Sequence, residues 1–136
     1  MAVAMLSGCT AVSDLAARLT SDGRVEFLVC EPIDADRIRV VSALRSASDP
    51  EITYWLVSGL PPISEGFALT YGAAPDGAVE EAGPLALPKD EVVVLAESVD
   101  GTGEATDSVQ GTFDPLALSS DSWRMADGRI MDDRPC

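Results

Sequence analysis

Residues 21–30 read Ser-Asp-Gly-Arg-Val-Glu-Phe-Leu-Val-Cys, a sequence typical of a tight turn followed by a β-strand. An Asp-Gly pair is the strongest short-range hairpin signal, because the tight turn needs positive φ angles that glycine adopts freely. After the turn, alternation places Val25, Phe27 and Val29 on one face of a strand. Residues 14–20, before the turn, fit either a short capped helix or a strand. The turn that follows them favours the strand, and so a first β-hairpin.

After this hairpin, the chain repeats short apolar stretches separated by turn residues. Further strands are predicted over residues 37–44, 51–57, 67–71, 91–97, 108–113, 122–125 and 130–131. The continuous apolar run 92–95 predicts a strand buried on both faces, whereas residues 72–89 and 100–107 are expected to be loops.

Many short strands without a long helical pattern indicate an all-β domain. The spacing fits best a two-sheet β-sandwich of immunoglobulin-like or fibronectin type III-like architecture. A small β-barrel is the alternative.

Composition limits the partners of this 136-residue chain, which has the size of one domain. It carries 23 carboxylates against nine Lys and Arg, a formal net charge of −14. Such a surface repels the phosphates of nucleic acids and anionic lipid head groups, so no nucleic-acid partner is expected. The sequence has no apolar run of about 18 residues, and any membrane attachment therefore has to come from acyl chains.

Histidine is absent from the sequence, which removes Ser-His-Asp and Cys-His catalytic arrangements and imidazole-based zinc sites. A non-catalytic domain without metal or cofactor is therefore expected. Residues 101–104 resemble a glycine-rich phosphate loop only superficially, because the lysine of such loops is missing. Asp100, Glu104 and Asp107 lack the spacing of a calcium loop.

Three aromatic residues have rings of the kind that form sugar-binding platforms: Trp55, Tyr71 and Trp123. Their alternating strand positions favour burial in the core instead.

Near the start, Leu6-Ser7-Gly8-Cys9 resembles the lipobox of bacterial lipoproteins. The resemblance implies that residues 1–8 are the remnant of a signal peptide and that Cys9 carries a diacylglyceryl group. Residues 9–13 would then be a stalk and residues 14–136 one domain at the outer face of the cell membrane. Only five apolar residues and no Lys or Arg precede the box, so we expect the true start upstream. The alternative is an ordinary N-terminus with a free cysteine.

Taken whole, the chain resembles small uncharacterised actinobacterial lipoproteins. The features that carry this resemblance are the box at Cys9, residues 29–32, the strand with Trp55, and Trp123 followed by residues 127–129. The resemblance implies a location outside the cytoplasm and brings no activity with it.

With Cys9 lipidated, Cys30 and Cys136 remain as an even pair, which in an oxidising compartment predicts a disulfide. The last six residues have little apolar surface, and a covalent bond would hold them to the domain. The alternative is a buried thiol at Cys30 with a frayed C-terminus.

The function that these observations favour is a lipid-anchored, non-catalytic binding or structural domain of the cell envelope. Its expected partner is an envelope protein or a glycan. One alternative is a small envelope hydrolase or modifying enzyme that uses carboxylates. Another is a soluble domain whose lipobox match is accidental.

Overall fold

The computed structural model describes residues 15–32, 35–43, 46 and 48–136. The described residues form ten β-strands and one short 3₁₀ turn at Pro115–Ala117. The strands are β1 Leu15–Leu19, β2 Val25–Val29, β3 Arg37–Ser42, β4 Thr53–Ser58, β5 Phe67–Thr70, β6 Val79–Ala82, β7 Val92–Val99, β8 Ala105–Phe113, β9 Trp123–Met125 and β10 Ile130–Met131. Across this described part, no helix is long and apolar enough to cross a membrane.

The strands form two five-stranded antiparallel sheets that pack face to face as a β-sandwich. The first sheet has the order β10-β9-β1-β2-β5 and the second the order β6-β4-β3-β7-β8. Neither sheet closes on itself, so the sandwich prediction is confirmed and the barrel alternative is wrong. The sets β1-β2-β5 and β4-β3-β7-β8 follow the strand order A-B-E and C′-C-F-G of immunoglobulin-type sandwiches.

The first hairpin forms as the Asp-Gly pair predicts. β1 and β2 pair in antiparallel register, with Leu19 opposite Val25. The turn closes through hydrogen bonds in both directions between Thr20 and Arg24, and Gly23 has a φ of 84°. That angle lies in the left-handed region, which glycine adopts without the steric cost that a Cβ brings.

The main core lies between the two sheets. The first sheet contributes Leu15, Phe27 and Val29, and Phe27 packs against Phe113 of β8 with a ring-centroid distance of 6.2 Å. The second sheet contributes Ile38, Val40, Trp55, Val57, Val92 and Val94, all at most 2% exposed. Burial of each such side chain stabilises the fold by roughly 1.5–3 kcal/mol, an upper estimate for the hydrophobic contribution.

Three strand predictions need correction. β6 lies inside the stretch 72–89 that was expected to be a loop, and β8 begins at Ala105, within the expected loop 100–107. β7 is hydrogen-bonded on both sides, but its burial alternates, with Val93 and Leu95 only half-buried. No strand of the described residues covers the outer face of the second sheet, which explains this alternation.

Gly111 provides a test of how tightly the sheets pack. A Cβ at this position would lie 2.7 Å from the Cβ of Ala126 and 3.2 Å from Cε2 of Phe113. We expect Gly111→Ala to lower the free energy of unfolding by about 1–3 kcal/mol, as overpacking does. Urea denaturation followed by tryptophan fluorescence measures it. Gly101→Ala is the matched control, since its Cβ would meet nothing within 4 Å, and equal losses in both variants would contradict the packing argument.

Candidate functional site

Cys30 and Cys136 lie together on the outer face of the first sheet. Their Cα atoms are 5.5 Å apart, and their sulfur atoms are at disulfide distance, although 106 positions separate them in the chain. The Cα distance is within the usual range for a disulfide. The pair packs against a second apolar cluster formed by Ala16, Leu28, Trp123 and Met125. In antibody domains the disulfide joins the two sheets, so this bond lies in a different place.

The end of the chain is also held by hydrogen bonds. Arg134 donates from Nη2 to the carbonyl oxygen of Gly66 at 2.6 Å and from Nε to that of Cys136 at 2.9 Å. The C-terminal residues are therefore fixed against the segment that leads into β5. The predicted lipobox residues Leu6, Ser7, Gly8 and Cys9 lie outside the described residues.

A polar groove of about 550 Å³ opens beside β1 and β2. Arg18 donates from Nε to Oε1 of Glu26 at 2.8 Å, and its guanidinium lies 4.4 Å from the ring centroid of Trp123. Besides Arg18 and Glu26, the groove is lined by Leu19, Thr20, Ser21, Ser120 and Asp121. Its wall thus combines one guanidinium with carboxylates and hydroxyl groups, which can both donate and accept hydrogen bonds.

The aromatic residues are not arranged as an open platform. Trp55 is fully buried in the main core, and Trp123 is 3% exposed beneath Arg18. Tyr71 is half-buried and packs on Trp55 with a ring-centroid distance of 5.2 Å. The prediction that the aromatic side chains are buried is confirmed for Trp55 and Trp123. Trp123 lies in the second apolar cluster and not in the main core.

A second cleft, here called the rim cleft, has a volume of about 310 Å³. It lies where the start of β7 and the end of β8 meet the turn between β9 and β10. Its wall is formed by Glu91, Thr112, Asp114, Ala117, Arg124, Met125, Ala126, Asp127 and Gly128. Sequence reasoning missed this site, because its charged residues come from three separate segments, 91, 112–117 and 124–128, that only the packing of the two sheets brings together.

Two charged side chains of the rim cleft accept hydrogen bonds, and two others have no partner among the described residues. Asp127 accepts hydrogen bonds from the backbone N–H and the Nε of Arg129, and Asp114 accepts one from the N–H of Leu116. The Nε of Arg124 is buried without a hydrogen-bond partner. Within the described residues, neither the guanidinium of Arg124 nor the carboxylate of Glu91 takes part in an ion pair or hydrogen bond.

A different charge cluster lies on the outer face of the second sheet. Glu97, 3% exposed, accepts hydrogen bonds from Nε of Arg37 at 2.9 Å and from Nε of Arg39 at 2.8 Å. Arg39 also reaches the exposed Glu51 at 3.3 Å. The hydrogen bond from Arg39 to Glu97 raises the pKa of the arginine further above its usual range. Because both arginines are paired, this cluster serves to join β3 to β7.

The loop between β7 and β8 is closed by hydrogen bonds to the carboxylate of Asp100, a residue of the loop itself. Asp100 Oδ1 accepts from the N–H of Thr102 at 2.8 Å, from the Thr102 hydroxyl at 2.6 Å and from the N–H of Glu104 at 3.1 Å. These bonds, chiefly the one from the Thr102 hydroxyl, lower the pKa of Asp100. The Gly-rich stretch 101–104 is thus a hairpin loop closed by Asp100, as predicted.

Tyr71 fixes the segment that precedes β7. Its hydroxyl donates a hydrogen bond to the carbonyl oxygen of Leu85 at 2.6 Å, and the carbonyl oxygen of Tyr54 lies 3.0 Å from the same hydroxyl. Burial is the main cause that raises the pKa of Tyr71 to about 12.

This raised pKa predicts a loss of stability at alkaline pH. The unfolded chain releases the proton of Tyr71 near pH 10, whereas the folded chain keeps it to about 12. The contribution of Tyr71 is therefore complete below pH 10 and is lost as the pH rises through this window. We expect Tyr71→Phe to be less stable than the native chain at pH 8, with a gap that narrows between pH 10 and 12. Urea denaturation across this range measures it, and a constant gap would contradict the assignment.

The chain matches no protein-family model, no curated protein and no solved structure at a significant level.

Proposed function

We propose that this chain is a lipid-anchored, non-catalytic binding or structural domain on the outer face of the cell membrane. The observation that carries the proposal is the placement of Cys30 and Cys136 at disulfide geometry. Disulfides persist in oxidising compartments and are rare in the cytosol. A bond that closes a segment of this length and fixes the chain end is typical of a structural disulfide, which supports an extracytoplasmic location.

The anchor in this proposal is a set of acyl chains on Cys9, within the lipobox Leu6 to Cys9. Two or more acyl chains hold a protein stably, whereas one gives only marginal binding. β1 begins at Leu15, six positions after Cys9. Six extended residues span at most roughly 20 Å, so the domain would remain close to the bilayer surface.

An envelope protein or a glycan is the partner that this location offers. The polar groove around Arg18 supports the glycan, because its guanidinium, carboxylates and hydroxyl groups match the donors and acceptors of sugar hydroxyls. Trp123 contributes indirectly, since its ring supports the guanidinium of Arg18 from below.

Lipidation is tested by expressing the gene with its upstream coding sequence and labelling the cells with an alkyne analogue of palmitate. We expect label on the native chain, which should sediment with membranes. Cys9→Ser should lose both properties, whereas the control Cys30→Ser should keep the label. An unlabelled native chain, or a labelled Cys9→Ser variant, would refute the anchor.

The two alternative functions, an envelope hydrolase and a soluble domain, can each be tested by a separate measurement. A carboxylate-dependent hydrolase has a candidate location in the rim cleft, where Glu91, Asp114 and Asp127 line one cavity. Turnover of an envelope glycan or ester that Glu91→Gln abolishes would establish it. A soluble domain with a chance lipobox would carry thiols at Cys30 and Cys136 that react after unfolding without reductant.

A further inference from the structure

Arg124 is held in the rim cleft by packing. It pairs with Ala17, which faces the main core, while its neighbours Trp123 and Met125 belong to the cluster on the opposite face. Because side chains alternate along a strand, the stem of Arg124 enters the space between the sheets at their open side. Its Nε is buried there without an acceptor. A buried donor without a partner is rare in native proteins and calls for an explanation.

The same cleft holds an unpaired charge of the opposite sign. Glu91 is exposed, and its carboxylate forms no ion pair or hydrogen bond within the part of the chain that the structure describes. The other two carboxylates of the cleft already accept hydrogen bonds, Asp127 from Arg129 and Asp114 from Leu116. The cleft therefore presents one available cation and one available anion that do not contact each other.

This arrangement selects the charge type of a ligand. A simple anion would be attracted by Arg124 but repelled by Glu91, Asp114 and Asp127, and a simple cation would meet the guanidinium. A molecule with both charges satisfies the two groups at once, with its carboxylate on the fork of the guanidinium and its ammonium on the carboxylate. The volume of about 310 Å³ lies at the lower end of small-molecule sites.

We propose that the rim cleft binds a small zwitterion of the amino-acid or short-peptide class. The carboxylate of the ligand lies on Arg124 and its ammonium group on Glu91. This binding does not depend on lipidation of Cys9, so it can be measured on an unlipidated protein. Its outcome is therefore independent of whether the proposed lipid anchor is correct.

The test uses the full chain with Cys9→Ser and three probes that differ in charge. Glycylglycine carries both charges, N-acetylglycine only the carboxylate and glycinamide only the ammonium group. In NMR titrations we expect glycylglycine to shift the amide resonances of Thr112 and Gly128 saturably, and each singly charged probe to bind at least tenfold more weakly. Equal binding of all three probes, or no saturation by glycylglycine up to about 10 mM, would overturn the proposal.

Variants identify the two contacts separately. Arg124→Met, which keeps the apolar stem, and Glu91→Gln, at an exposed position, should each weaken glycylglycine binding about tenfold or more, one charge contact being lost. Glu91→Gln should not weaken binding of N-acetylglycine, which has no ammonium group. The control Glu81→Gln removes the same charge on β6, at the far edge of the second sheet, and should bind like the parent. An equal loss in the control would refute the assignment, and Glu91→Gln still tests it if Arg124→Met fails to fold.

Discussion

Cys136→Ser is expected to lower the free energy of unfolding by about 4 kcal/mol. The bond between Cys30 and Cys136 joins positions 106 apart, and chain entropy gives about 4.7 kcal/mol for a loop of 100 residues. The loss should also loosen the second cluster, because Cys136 packs against it together with Cys30 and Met131. Urea denaturation of the oxidised protein, in a Cys9→Ser background that prevents mispairing, measures the change. A red shift of Trp123 fluorescence before global unfolding would report the local loosening.

Variants separate the contribution of the disulfide to the free energy of unfolding from that of the hydrogen bonds made by Arg134. Cys30→Ser and the double variant should lose the same free energy as Cys136→Ser, because all three remove one bond. Arg134→Met removes the hydrogen bonds to Gly66 and Cys136 but keeps the disulfide, and should lose only about 0.5–1.5 kcal/mol. A Cys136→Ser variant as stable as the native chain would show that the bond does not constrain the unfolded state.

Glu97→Ala is expected to cost about 3 kcal/mol. The carboxylate is 3% exposed and accepts hydrogen bonds from both Arg37 and Arg39, so its removal leaves two guanidinium groups side by side without their common partner. Breaking a buried ion pair from one side typically costs about 3–5 kcal/mol, and the partial exposure of the arginines places this case at the lower end. Thermal and urea denaturation at neutral pH measure the loss.

Glu51 offers a matched control at the same arginine. Its carboxylate lies 3.3 Å from Nη1 of Arg39, but its side chain is 46% exposed. Glu51→Ala should therefore cost less than about 1 kcal/mol, as exposed ion pairs do. Raising the salt concentration should reduce the small effect of Glu51 and leave most of the effect of Glu97, since buried pairs are less screened. Equal costs at the two positions would contradict the assigned burial.

The fold was predictable wherever local chemistry and burial agree. The Asp-Gly turn and the alternation of Val25, Phe27 and Val29 predict the first hairpin, and the structure confirms it. β6 was not predicted, because residues 79–81 are all exposed on an edge strand. Their sequence therefore shows no alternation between buried and exposed positions. β8 was predicted too short for the same reason, since Ala105 and Thr106 at its start are small and exposed.

For the sites, the sequence alone supported the pairing of Cys30 with Cys136, because two cysteines left after Cys9 allow one intramolecular partner. The lipobox remains a prediction from sequence, since Cys9 lies outside the described residues. Only the tertiary structure could bring Arg124 and Glu91 to one cleft or make Glu97 the shared partner of two arginines. Strand order and sheet packing set those distances, and they depend on contacts between residues far apart in the chain. Turn chemistry and alternation act over a few residues, so the sequence alone predicts most of the strands and the class of fold. The charged sites depend on strands that are far apart in the chain and meet only in the tertiary structure.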